Sequence, residues 1–125
     1  MKAYRTNERI SAVMKIDDRY VLRQVCEHGL RQEGTVGELY SFPGVDKHSR
    51  ESEGQAAVRA AHKWGFYVVP SIIIKTEDKT YVICEGTTQI GKPDNERKVL
   101  LSTYKELMQD PFVAASVKEF FTSLE

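Results

Sequence analysis

The 125-residue chain predicts a single α/β domain. Three observations carry this: short β-rich runs alternate with two segments of helical apolar spacing, turn residues mark the junctions, and no repeat, linker or low-complexity tract divides the chain. A hydrophobic fraction of 41% supplies a core, and 18 basic against 18 acidic residues give no electrostatic basis for general nucleic-acid binding. No apolar run reaches membrane-spanning length, and the polar start from Met1 to Arg9 does not read as a signal peptide. The expected location is therefore cytoplasmic, with no membrane partner.

Ile10 to Ile16 and Tyr20 to Cys26 read as strands joined in a hairpin by Asp17-Asp18-Arg19. Glu27 to Gly37, with three glycines and no period, reads as a loop. Glu38 to Phe42 then forms a short strand delivering a Pro43-Gly44 turn. A helix is expected from about Ser52, because Ser52 and Gln55 make a capping box, to Gly65 as its C-terminal signal. Ala57, Ala60 or Ala61, and Trp64 line its apolar stripe, while Arg59 and Lys63, four residues apart, share another face.

Phe66 to Lys75 and Thr80 to Glu85 are two further strands around the polar turn Glu77-Asp78-Lys79, with Pro70 requiring a bulge or an edge position. A polar loop from Gly91 to Lys98, a strand near Val99 to Leu101 and a short helix near Tyr104 to Met108 follow. Asp110-Pro111 then predicts the N-cap and first turn of a terminal helix that buries Val113, Val117, Phe120, Phe121 and Leu124. Cys26 and Cys84 lack metal or redox spacing and read as free, buried thiols.

Phe42-Pro43-Gly44 is followed by Val45. Five residues then lead to Glu51, and seven more, ending in Ala56-Ala57-Val58, lead to Arg59. This spacing resembles the Nudix box, G-x5-E-x7-R-E-U-x-E-E-x-G-U with U aliphatic, entered through an aromatic-Pro-Gly-Gly run. The resemblance implies a Nudix-like α/β/α sandwich with a mixed central sheet, a match that covers almost the whole chain by element order and residues 42–66 by motif. It also implies a divalent cation such as Mg²⁺ and a nucleoside diphosphate derivative as substrate.

The box is degenerate after Arg59. Its next Glu is Ala60 here, its Glu-Glu pair falls on Lys63-Trp64 or, shifted by one, on His62-Lys63, and Gly65-Phe66 arrives one residue early. Arg59 to Phe66 contains no acidic residue, so the carboxylate cluster that a hard cation needs is absent from this segment. Val45 and Arg50 also replace glycines, and a β-branched residue disfavours positive φ, so the loop before the helix is expected to take a modified path.

The expected function is therefore a catalytically degenerate Nudix-fold module that binds or senses a nucleotide or other phosphorylated small molecule, with no cofactor and no resident metal. Arg23, Arg59 and Lys63, joined by Lys98, are its candidate anion-binding residues; Glu51 and Arg59 also form a candidate scaffold pair. The alternatives are a residual hydrolase using Glu51, Glu53 and Glu96 around Mg²⁺, with Asp94 nearby, and a protein-interaction scaffold forming a homodimer. His48 and His62 are read as solvated, since Glu53 and His62 lie about two and a half helical turns apart. Trp64 is read as core, with a cleft-facing ring that stacks a nucleobase as the alternative.

Overall fold

The computed structural model describes residues 8–25, 39–77, 79–91 and 99–124. Cys26, the expected loop from Glu27 to Gly37, and Asp94, Glu96 and Lys98 lie outside them. In chain order the elements are β1 (Arg9–Val13), β2 (Lys15–Ile16), β3 (Arg19–Val25), β4 (Leu39–Ser41), β5 (Gly44–Asp46), α1 (Glu53–Lys63), β6 (Phe66–Lys75), β7 (Thr80–Gln89), β8 (Val99–Thr103), α2 (Tyr104–Gln109) and α3 (Ala115–Ser123). The first sheet runs β5-β1-β7-β6 and is mixed, with β1 parallel to β7 and the other pairs antiparallel. In the second sheet β3 pairs β2, β4 and β8, all antiparallel. Tyr20 faces both Lys15 and Ser102, and Arg23 faces both Ser41 and Val99. Because a strand has two edges, β2 and β4 share one edge of β3 and β8 takes the other.

Strand alternation divides the core into two layers. Ile10 and Ala12 of β1, Phe66 and Val68 of β6, and Val82 and Cys84 of β7 pack with Ala56, Ala57, Ala60 and Ala61 of α1. Val13 and Tyr81, on the opposite face, pack with Leu22, Phe42, Leu107, Val117, Phe120 and Phe121. The first sheet is thus sandwiched between α1 and α3. Four alanines let α1 lie close to its sheet, and the aromatic layer fills the wider space beneath α3. There the Phe42 ring lies 5.5 Å from Phe120 and 5.9 Å from Phe121, edge to face.

Several boundaries differ from the sequence reading, each for a local reason. The run Ile10 to Ile16 is not one strand: it leaves the first sheet at Met14 and enters the second, where the Met14 carbonyl accepts from the Val21 N–H at 3.1 Å. Apolar alternation continues across the break while the hydrogen-bond partners change, so the pattern alone hides it. Pro43-Gly44 does not form a turn, because Gly44 opens β5 opposite Ser11. A Cβ at Gly44 would meet the Ile10 carbonyl oxygen at 3.0 Å, so glycine permits this close pairing. β7 continues past Glu85 to Gln89 through Gly86 at φ +60, and the polar Gly86-Thr87-Thr88-Gln89 run carries no strand signature. Pro70 sits beside a register shift on β6, the end strand of its sheet.

The terminal helix requires the largest correction. Asp110 closes α2, its carboxylate accepts from the Phe112 N–H at 2.8 Å, and Val113 bridges to Tyr40. Pro111 and Phe112 form a turn in which the Asp110 carbonyl accepts from the Val113 N–H at 3.2 Å. Backbone bonds from Tyr40 N–H to the Phe112 carbonyl and from Ala114 N–H to the Tyr40 carbonyl, both 2.8 Å, tie Val113 to β4, so α3 starts only at Ala115. Val113 is buried, but ahead of the helix, and Leu124 is 51% exposed just beyond its last turn. Among the described residues no helix is long and apolar enough to cross a membrane.

Truncating Phe120 to Ala removes the ring shared by Phe42, Tyr81 and Phe121 and is expected to cost about 3 to 5 kcal/mol in urea unfolding. Ser52→Ala, which deletes only the cap of α1, should cost about 1 kcal/mol in the same assay.

Candidate functional site

The region built by the box residues is organised by α1 and the loop leading into it. Ser52 caps the helix by accepting from the Gln55 N–H at 3.1 Å, and the Gln55 side chain accepts from the Ser52 N–H at 2.9 Å. Gly54 lies where a Cβ would come within 3.2 Å of Pro70, so the helix start can lean on the β6 bulge. At the other end Gly65 takes φ 88, and its carbonyl accepts from Ile90 and Gly91, tying the end of α1 to the end of β7.

Glu51 and Arg59 meet across this frame. Arg59 Nε and Nη2 donate to the two Glu51 carboxylate oxygens at 2.9 Å each, and Nη2 also donates to the Asp46 carbonyl at 2.7 Å. The same carboxylate accepts from the His48 N–H at 3.1 Å. One ion pair therefore connects the end of β5, the loop and the middle of α1. The Arg59 guanidinium is the main cause that holds the Glu51 carboxyl down to about 2, and the His48 N–H adds to it. Val45, at the second glycine position, pairs with Ile10 in β5 and packs against the α1 layer. The chain here is extended and needs no positive φ.

Glu53 has a different partner. Lys75 Nζ on β6 lies 2.9 Å from Glu53 and 3.8 Å from Glu8, whose carboxylate also accepts from Thr80 Oγ1 at 2.5 Å. The Lys75 ammonium lowers the Glu53 carboxyl below its ordinary value. Glu51 and Glu53 are thus each held by a separate cation, and Glu96, the third member of the alternative metal set, lies outside the described residues. Among the described residues no three His, Cys, Asp or Glu side chains converge where they could hold a metal. The positions where the family places its carboxylates do not fit Mg²⁺ either: Ala60 is buried, Lys63 offers an ammonium and Trp64 a ring, none with an oxygen donor. The Glu53–Lys75–Glu8–Thr80 chain carries no spacing signal in the sequence, because α1, β6, β7 and the residue before β1 each supply one member.

The candidate anion-binding cations lie on the α1 side of the molecule. Strand alternation places Arg23 on the same face of β3 as Val21, and its register partner Val99 packs against the same α1 layer. Arg59 is half-buried, with Nη1 outside its bonds to Glu51 and Asp46; Lys63 is exposed one turn later. Trp64 caps the end of α1, half-buried against the α1 layer. His48 and His62 are exposed. Cys84 is a free thiol, which burial pushes up to about 12 and so keeps protonated and unreactive near neutral pH.

The Glu51 shift gives a stability test. A carboxyl whose folded pKa lies below the ordinary 4.5 contributes its full stabilisation above about pH 4.5 and loses it as pH falls through about 2. Glu51→Gln should therefore destabilise by on the order of 2 kcal/mol at pH 7, a figure reduced for screening of a guanidinium that is 38% exposed. Denaturant titrations from pH 7 to pH 2 should show that difference shrinking toward zero.

No family model and no curated protein matches the chain in sequence. Solved structures do match in shape. A NUDIX hydrolase from Nitrosomonas europaea superposes with TM-score 0.60 at 18% identity, over 95% of this chain and 90% of that one. An ADP compounds hydrolase gives TM-score 0.64 at 17% identity, covering 94% and 71% of the two chains. A UDP-X diphosphatase gives 0.65 at 15% identity, covering 98% and 63%. With a mixed sheet between α1 and α3, and with Glu51 joined to Arg59 at the spacing of the box, the chain adopts the fold of the Nudix superfamily.

Proposed function

We propose that this chain is a catalytically degenerate Nudix-fold module that recognises a nucleotide or another phosphorylated small molecule and does not hydrolyse it by metal-dependent chemistry. The observation that carries this reading is the second half of α1: from Arg59 to its end at Lys63 the helix offers cations and apolar side chains in place of carboxylates. Glu51, the one acid retained from the box, already accepts three hydrogen bonds from Arg59 and His48. Arg59 Nη1 and Lys63, joined by Arg23 from β3, supply the guanidinium and ammonium chemistry that binds phosphate without a metal. Two of the similar solved structures are named for ADP compounds and UDP-X, which points to a nucleoside diphosphate as the first ligand class to try.

A thermal-shift panel of ADP, UDP, ADP-ribose and UDP-glucose, run with Mg²⁺ and with EDTA, tests this. One or more nucleotides should raise Tm equally in both buffers, since binding to the folded state alone stabilises by about 2.7 kcal/mol at a hundredfold excess over Kd. Lys63→Glu should weaken that response. Release of phosphate or nucleotide that depends on Mg²⁺ would establish the residual hydrolase instead.

One observation favours a second reading, a homodimeric scaffold. β6 ends the first sheet among the described residues, and Tyr67, Val69, Ile72 and Ile73 along it stand about half exposed. A second copy pairing antiparallel along this edge would satisfy open backbone groups and cover these side chains. Light scattering should then report a dimer that Ile73→Lys converts to a monomer, whereas a monomeric parent at high concentration rules this reading out.

A further inference from the structure

A cleft lies on the opposite side of the first sheet from α1, between the β6–β7 turn and α3. It encloses about 280 Å³ and is lined by Thr76, Lys79, Tyr81, Ser116, Glu119 and Phe120, with Ser123 at its end. Ser116, Glu119, Phe120 and Ser123 recur at helical spacing, so they form one stripe of α3 facing the turn.

Thr76 Oγ1 is held within the turn, donating to the Lys79 carbonyl at 3.0 Å and accepting from the Lys79 N–H at 3.1 Å, whereas other polar groups of the cleft have no internal partner among the described residues. Tyr81 is only 7% exposed, with its ring 4.5 Å from Phe120, yet its hydroxyl makes no hydrogen bond among the described residues. The hydroxyl opens onto the cleft, so a molecule bound there can supply its partner. Burial, and then the nearby Glu119 charge, raise the Tyr81 phenol above its ordinary value, which keeps it a neutral donor and acceptor. Lys79 and Glu119 carry opposite charges on the same cleft, but neither forms an ion pair among the described residues. Ser123 is partnered as Thr76 is: its hydroxyl donates to the Phe120 carbonyl at 2.7 Å. The first turn of α3, where Ser116 sits, begins at Ala114 with no side-chain cap.

Opposite charges that share a cleft without meeting are complementary to a molecule that carries both. We infer that this cleft binds a small zwitterion, an α-amino acid or a compound with the same ammonium and carboxylate groups. The carboxylate lies toward Lys79 and Ser116 at the positive end of α3. The ammonium lies toward Glu119 and the Tyr81 oxygen, and the apolar side chain rests on Phe120. The site is independent of the box region, which lies under α1 on the other face of the sheet, so a ligand here would act alongside a nucleotide rather than compete with it.

The test is an NMR titration of the ¹⁵N-labelled full chain with L-leucine, beside N-acetyl-L-leucine, which lacks the ammonium, and L-leucinamide, which lacks the carboxylate. Saturable shifts centred on Thr76, Lys79, Ser116 and Glu119 are expected, with each capped analogue about tenfold weaker or worse, as for a site that hydrogen-bonds the missing group. Lys79→Gln and Glu119→Gln, at surface positions, should each reduce affinity by a similar factor. Tyr81→Phe keeps the packed ring and should weaken binding while leaving the rest of the spectrum unchanged. Absence of saturable shifts, equal binding of all three compounds, variants that bind like the parent, or shifts centred on Arg59 and Lys63 would each overturn the inference. None of these results bears on nucleotide binding at α1, which the thermal-shift panel reads separately.

Discussion

The fork between Arg59 and Glu51 is the constraint around which the site is arranged. Two guanidinium nitrogens grip one carboxylate, a third bond reaches the Asp46 carbonyl, and the loop amide of His48 completes the set. In physical effect the chain between β5 and α1 is stapled at its middle, although neither end of that loop is strongly apolar. A pair of this kind stabilises because both partners are satisfied; removing either would leave a partly buried charge facing fewer partners than it needs. The arrangement requires no ion and does not depend on the side chains of the following helical turn.

The two faces of α1 carry different chemistry. Ala56, Ala57, Ala60 and Ala61 face the sheet, and their small volume sets how closely the helix approaches Val68 and Val82. Lys63 faces outward, where substitution alters charge without disturbing packing. Trp64, at the boundary, packs its ring against the edge of the α1 layer and adds apolar contact there.

Much of this was legible in the sequence. The capping box at Ser52 and Gln55, the Gly65 stop, the bulge at Pro70 and the Glu51–Arg59 pairing each rest on a local rule with one dominant physical cause, and each is found. The elements that were not legible depend on partners distant in sequence. β5 exists because Gly44 lets the chain lie against β1. The polar end of β7 is a strand because Phe66 and Tyr67 pair with it. Asp110-Pro111 has the local chemistry of a helix start, but a turn at these residues followed by the bridge from Val113 to Tyr40 moves α3 to Ala115. The Lys75 link between Glu53 and Glu8, and the cleft around Tyr81, join residues from distant parts of the chain, which no window along it can display.

The crossing at Met14 has a mechanical consequence. A single uninterrupted stretch contributes β1 to one sheet and β2 to the other, with no loop between them to absorb relative movement. Neither sheet can fray at that point without pulling on its neighbour, so the two should open together as one cooperative unit in hydrogen exchange instead of as separable halves. Rigidity of this origin would let a ligand held on one face be felt as altered order on the opposite face, even where no atom is visibly displaced.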